Sequence, residues 1–180
     1  MGYNSIMVEK KITPKEFETY LQEFVGRNLT DFYYITDTLL VFKSGKQYLF
    51  DESVVKGKKI QSHHSEHEFR IWGDWKYERD GRVIETSDVK PDEDAPKFRN
   101  RMGDFAESIH PNKITDIRVS EDGKETTVVL DNGGQFVVTP SGDSYLNYFN
   151  YSFDSNGKEI GNRGVKSAEN TGVLTYFEAL

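Results

Sequence analysis

The sequence predicts an α+β protein made of two tandem related units, each one helix packed on an antiparallel β-meander. Three observations carry that reading. Two amphipathic helical patterns place Phe17 and Phe24 in register with Phe98 and Phe105, 81 residues later. Each is followed by short alternating segments separated by Gly-containing turns, which is the pattern of antiparallel strands. Three blocks then recur in the same order in both halves, and internal recurrence of that kind points to a duplicated unit. Leu29-Thr-Asp-Phe32 matches Ile114-Thr-Asp-Ile117. The segment from Phe42 to Phe50 matches that from Leu130 to Val138, and the segment from Trp72 to Ile84 matches that from Tyr148 to Ile160. The units are expected over 1–90 and 91–180.

The first helix has a defined start. Thr13-Pro14-Lys15-Glu16 is a capping box with Pro at the first helical position. Phe17, Tyr20, Leu21, Phe24 and Val25 then recur at three and four, and Gly26 with Asn28 ends the run. The second helix is expected from near Asp94, with Phe98, Met102, Phe105 and Ile109 on one face and an end at His110-Pro111. The run Asp92-Glu93-Asp94 suits a helix N-terminus, and Pro91 with Pro96 reads as a linker between units. Strands are expected at 30–35, 38–43, 46–51, 68–78 and 82–87, then at 114–120, 124–131, 134–139, 145–153 and 157–161. Ser44-Gly45, Asp80-Gly81, Asp122-Gly123, Asn132-Gly133 and Asn156-Gly157 read as hairpin turns, because Gly takes positive φ without strain. The tail from Gly172 to Leu180 fits an edge strand or a short helix. One helix covering one face of each sheet is similar to the layout of tandem helix-plus-meander inhibitors such as the beta-lactamase inhibitory proteins. That resemblance is architectural and carries no shared motif.

Composition narrows the function. The chain has 180 residues, is 36% hydrophobic and 13% aromatic, and contains no cysteine. Aromatic content at that level supports a packed core despite a mean hydropathy of -0.69. Without cysteine there is no disulfide scaffold, thiol nucleophile or thiolate metal site. No apolar run is long enough to span a membrane, and the first dozen residues lack the apolar block of a signal peptide, so a cytoplasmic protein is expected. The net charge is -7, divided as -1 over residues 1–90 and -6 over 91–180. Direct nucleic-acid binding needs a basic stripe. The only basic cluster is Lys56, Lys58 and Lys59 beside Gly57, which reads as a solvated loop. An acidic protein is better steered toward a basic partner.

Catalytic motifs are sparse. His63, His64 and His67 cluster with Glu66 and Glu68, but no helical H-E-x-x-H spacing is present, and the stretch reads as an exposed loop with no metal. Ser141 in a turn and the remote His110 do not make a triad. Asp131-Asn-Gly-Gly134 is a hairpin turn rather than a phosphate loop, and the segment from Asp154 to Glu159 is a tight turn rather than a calcium loop. What remains is aromatic. If the segment from Phe69 to Glu78 is a strand, Phe69, Ile71, Trp75 and Tyr77 share one face, and Arg70, Trp72, Asp74 and Glu78 share the other. By the repeat, Tyr148 joins Trp72. Aromatic, Arg and acidic groups together have the composition of an interface centre. Trp72, Asp74, Tyr148, Arg70 and Glu78 are therefore the expected partner-binding residues. The expected function is a non-enzymatic protein-binding inhibitor, without cofactor, that sterically neutralises a partner enzyme. That partner is expected to be basic or nucleic-acid-binding, and the inhibitor a monomer or homodimer of the toxin-immunity or phage anti-defence (anti-CRISPR) type. Two alternatives are a small-molecule-binding or enzymatic α+β domain with a pocket between helix and curved sheet, and a phage structural or assembly protein.

Overall fold

A computed structural model describes residues 7–55, 57–139, 145–167 and 173–179. It is an α+β structure with two antiparallel sheets and two short α-helices. In chain order the elements are β1 (Met7–Ile12), α1 (Pro14–Leu21), β2 (Leu29–Tyr34), β3 (Leu40–Val55), β4 (Lys58–Trp72), β5 (Trp75–Arg79), β6 (Arg82–Thr86), α2 (Ala95–Ile109), β7 (Ile114–Val119), β8 (Thr126–Leu130), β9 (Gly134–Val138), β10 (Tyr145–Phe153), β11 (Glu159–Ser167) and β12 (Leu174–Ala179).

The helix starts follow their caps. Thr13 and Glu16 make the reciprocal capping box, with Pro14 opening α1. A 3₁₀ turn over Gln22–Phe24 extends α1, which buries Phe24. Asp94 caps α2 through Lys97 N. Pro96 therefore sits in the first turn of the helix and not in a linker. α2 stops at His110, whose φ of 27° leaves the helical region ahead of Pro111.

The larger sheet runs β1-β12-β11-β10-β4-β3-β2 and the smaller runs β6-β5-β9-β8-β7. Each combines strands from both sides of residue 90, so the regions 1–90 and 91–180 are not two separately packed bodies. The two orders share a pattern over five strands. A three-stranded meander (β2-β3-β4 or β7-β8-β9) is extended by a hairpin that arrives from the other meander (β10-β11 or β5-β6). The crossing from β4 to β5 takes only Gly73 and Asp74. The larger sheet alone continues, through β12 and β1.

Both sheets contribute to one core. Phe42 of the larger sheet meets Phe136 of the smaller edge to face, with ring centroids 6.1 Å apart. Trp75, Tyr77 and Phe136 surround Phe105 of α2. α1 lies against β7, β11 and β12, and α2 against β2. A bridge between Asn28 and Lys113 ties the starts of β2 and β7 together.

Four expectations change. Ser44-Gly45 is not a hairpin turn: β3 runs through it, with a shift in register against β4 between Ser44 and Gln47. Gly45, at φ 84°, lets the strand kink there without breaking. The histidine-rich stretch is not a loop but part of β4. The 68–78 segment is two strands, divided at Gly73-Asp74, with one strand in each sheet. The tail is a strand, β12, and it lies inside the sheet between β1 and β11.

Candidate functional site

Strand β4 has the most chemistry, because its two faces meet different surroundings. His67, Phe69 and Ile71 point into the core, and His64, Glu68, Arg70 and Trp72 point outward. On the inner face the His67 ring nitrogen Nδ1 lies 2.8 Å from the Tyr148 hydroxyl. That hydroxyl donates to Glu23 at 3.4 Å, and Arg163 grips Glu23 with both terminal nitrogens at 3.1 and 2.9 Å. Asn150 is the cross-strand partner of both His67 and Arg163, so the three form a polar row across β4, β10 and β11. Burial, with the nearby Arg27 guanidinium, holds the His67 imidazole down to about 4. The ring is therefore neutral at physiological pH. Burial, then the Glu23 charge, pushes the Tyr148 hydroxyl well up.

The outer face centres on Glu68, which is 1% exposed. Arg70 donates to it at 2.6 Å, Lys43 stands 3.6 Å away and His64 Nδ1 lies at 3.4 Å. Burial raises the Glu68 carboxyl, but the Arg70 hydrogen bond and charge, then Lys43 and His64, outweigh it and keep the group ionised. The same partners fix the cations. Lys43 donates to the His63 carbonyl at 2.7 Å and sits over the Tyr33 ring. The Arg70 guanidinium lies 4.9 Å from the centroid of Phe149, the cross-strand partner of Glu68 on β10. His64 stacks on Tyr151 at 4.7 Å. Burial, then the Glu68 charge, pushes the Tyr151 hydroxyl up. Beside His64 a cleft of about 470 Å³ opens between β3 and the β10–β11 turn, lined by Leu49, Phe153, Asn156, Lys158 and Glu159.

The five residues expected to bind a partner do not form one patch. Arg70 and Trp72 share the outer face of the larger sheet, and Trp72 is partly exposed. Asp74 is exposed at the crossing between sheets. Glu78 is in the smaller sheet, bonded to Lys76 at 2.7 Å and Gln135 at 3.1 Å. Tyr148 is corrected outright: it is 1% exposed and points into the core. Both faces of β10 carry aromatic rings, so the pattern did not mark which one is inside. Sequence reasoning missed Lys43, Phe149, Glu23 and Arg163, whose roles come from strand pairings distant in sequence. Among the described residues no group of three or more His, Asp or Glu is arranged to hold a metal ion, and no helix is long and apolar enough to cross a membrane.

Comparison with protein-family models, curated proteins and solved structures finds no match to this chain.

Proposed function

We propose that this chain is a non-catalytic binding protein that neutralises a partner enzyme by covering a working surface. It acts in the cytoplasm as a monomer or homodimer of the toxin-immunity or phage anti-defence type. The observation that carries the reading is the fixed cation on the outer face of the larger sheet. Arg70 is held against Phe149 by a buried carboxylate, with Trp72 next to it on the same face. A side chain already fixed in place loses little entropy on binding, and Arg and Trp are the residue types that dominate interface energetics. The net charge of -7 steers the molecule toward a basic partner, such as a nucleic-acid-processing enzyme. The five-strand pattern shared by both sheets, with the recurring sequence blocks, supports descent from a duplicated helix-plus-meander unit whose hairpins exchanged sheets.

The test is enzymatic. A basic enzyme captured from the native host should lose its activity at a 1:1 ratio with this protein. Replacing Trp72 and Asp74 together by Ala should weaken the complex at least tenfold without changing the melting temperature. Full activity of the captured enzyme under saturating protein would defeat the proposal.

The cleft beside His64 favours a second reading, a small-molecule site in which buried Glu68 orients the imidazole. Saturable binding of a small metabolite, lost in His64→Gln, would decide for it.

A further inference from the structure

Two Asn-Gly steps occur in the chain, Asn132-Gly133 and Asn156-Gly157. Both sit in tight turns of the same construction, one joining β8 to β9 and the other β10 to β11. Gly133 has φ 81°, and its N–H donates to the Leu130 carbonyl at 3.3 Å. Gly157 has φ 79°, and its N–H donates to the Asp154 carbonyl at 3.0 Å. The backbones match and the side chains do not.

Asn132 is engaged at both ends of its amide. Its Nδ2 donates to the Ile109 carbonyl at 2.7 Å. Its Oδ1 accepts from the Gly134 N–H at 2.9 Å and from the Tyr77 hydroxyl at 3.3 Å. Asn156 is exposed. Its backbone N–H donates to Asp154 Oδ1 at 2.8 Å, and its side-chain amide has no hydrogen-bond partner among the described residues. A glycine after asparagine has no Cβ to shield its nitrogen, so that nitrogen can reach the asparagine amide carbon. In both turns the Gly N–H bond must open before attack. At Asn132 the bonds of the amide itself must break as well, and each is worth a factor of roughly two to ten.

We propose that Asn156-Gly157 is a self-modification site, at which the folded protein converts Asn156 while Asn132 is held out of reaction. The Gly157 nitrogen attacks Asn156 Cγ. The N–Cγ bond forms, the Cγ–Nδ2 bond breaks, and Nδ2 leaves as ammonia with the proton from the Gly157 nitrogen. Water then opens the cyclic succinimide. Opening at Cγ gives an aspartyl residue. Opening at the main-chain carbonyl gives an isoaspartyl linkage, with one more methylene in the backbone. Nothing is oxidised or reduced.

Both products add a carboxylate to the cleft beside His64, which Asn156 lines together with Lys158 and Glu159. The isoaspartyl form also lengthens a turn with little slack. A Cβ on Gly157 would stand 3.0 Å from Tyr48 Cδ1, and Tyr48 stacks on Phe153 at 4.0 Å. The site therefore makes a one-way change of charge and shape at one wall of the cleft.

The test incubates the folded full chain at mildly alkaline pH, which favours loss of the Gly amide proton. Peptide mapping then separates asparaginyl, aspartyl and isoaspartyl forms. Conversion at Asn156 should run at least about tenfold faster than at Asn132. In urea, where neither turn persists, the two steps should convert at similar rates. Tyr77→Phe removes one donor to Asn132 and keeps the ring. It should speed conversion at Asn132 by roughly two- to tenfold and leave Asn156 unchanged. Asn156→Gln, at an exposed position, should abolish the modification in this turn without moving the melting temperature. Equal rates at the two steps in the folded protein, or faster conversion at Asn132, would overturn the proposal. So would a folded Asn156 that stays intact over the time in which urea converts it completely, because the Gly157 bond to Asp154 would then be protection enough.

Discussion

Glu68 shows how much one buried carboxylate can organise. It stands between Arg70, Lys43 and His64, each also held by a second contact. Removing one partner of a buried ionic cluster leaves uncompensated charge, which costs more than the cluster contributes when whole. Glu68→Gln is therefore expected to destabilise the protein by ~3 kcal/mol, read as a lower urea midpoint at unchanged slope. An unchanged midpoint would mean that Lys43 and Arg70 find water when Glu68 is gone. His67 gives a pH signature of the opposite chemical type. Its folded pKa of about 4 lies below the ordinary 6.5, so the unfolded chain binds the extra proton first as pH falls. Stability supplied by the neutral ring is full above pH 6.5 and is lost progressively down to about pH 4, a loss of ~2 kcal/mol from this group. Thermal melts across that window should fall less steeply in His67→Gln than in the parent. Both residues stand out in the sequence as members of a His- and Glu-rich stretch. That the stretch is a strand was not legible there, because its polar residues are buried by partners distant in the chain.

Turns and caps were the most readable elements, since their chemistry is local. The Thr13 box, the Asp94 cap and the turns at Asp80-Gly81, Asp122-Gly123, Asn132-Gly133 and Asn156-Gly157 all connect the elements their residues demanded. Ser44-Gly45 misled for a physical reason. A glycine at positive φ serves a hairpin turn and a strand kink equally well, and only the neighbour decides which forms. Here the neighbour is β4, with Glu66 packed so closely that a Cβ at Gly45 would lie 2.5 Å from its Oε2 atom. Gly45→Ala therefore combines a strained φ with a clash, and should cost ~1–3 kcal/mol, measured by denaturant unfolding. An alanine that is neutral there would show that the kink relaxes freely. Arg101 is a second device at this scale. It donates to Glu85, Glu93 and the carbonyls of Thr86 and Asp88, so one side chain holds the link between β6 and α2. The Arg101 hydrogen bonds draw the Glu93 carboxyl down to about 2. Arg101→Ala should accelerate amide exchange in residues 86–93 while leaving β8 and β9 protected. Uniform acceleration would show that Arg101 supports the whole fold rather than this link.

At the scale of the whole molecule, each sheet takes strands from both sides of residue 90, so the two halves depend on each other. The sequence shows recurring blocks, but recurrence says nothing about which strand a given strand pairs with. β4 needs β10 beside it, β5 needs β9, and α1 rests on β7, β11 and β12. A chain of residues 1–90 lacks all of these, so the inner faces of β4 and β5, with Phe69, Ile71, Trp75 and Tyr77, lose their cover. Burial of such side chains contributes roughly 1.5–3 kcal/mol each, a loss far beyond the net stability of an ordinary domain. The full chain should accordingly unfold in one transition that fluorescence at Trp75 and far-ultraviolet circular dichroism report together. The separate fragments 1–90 and 91–180 should each show collapsed amide dispersion, and mixing them should restore the dispersed spectrum of the intact protein. A cooperative melt by either fragment alone would show that each half can close on itself, with its hairpin folded back beside its own meander.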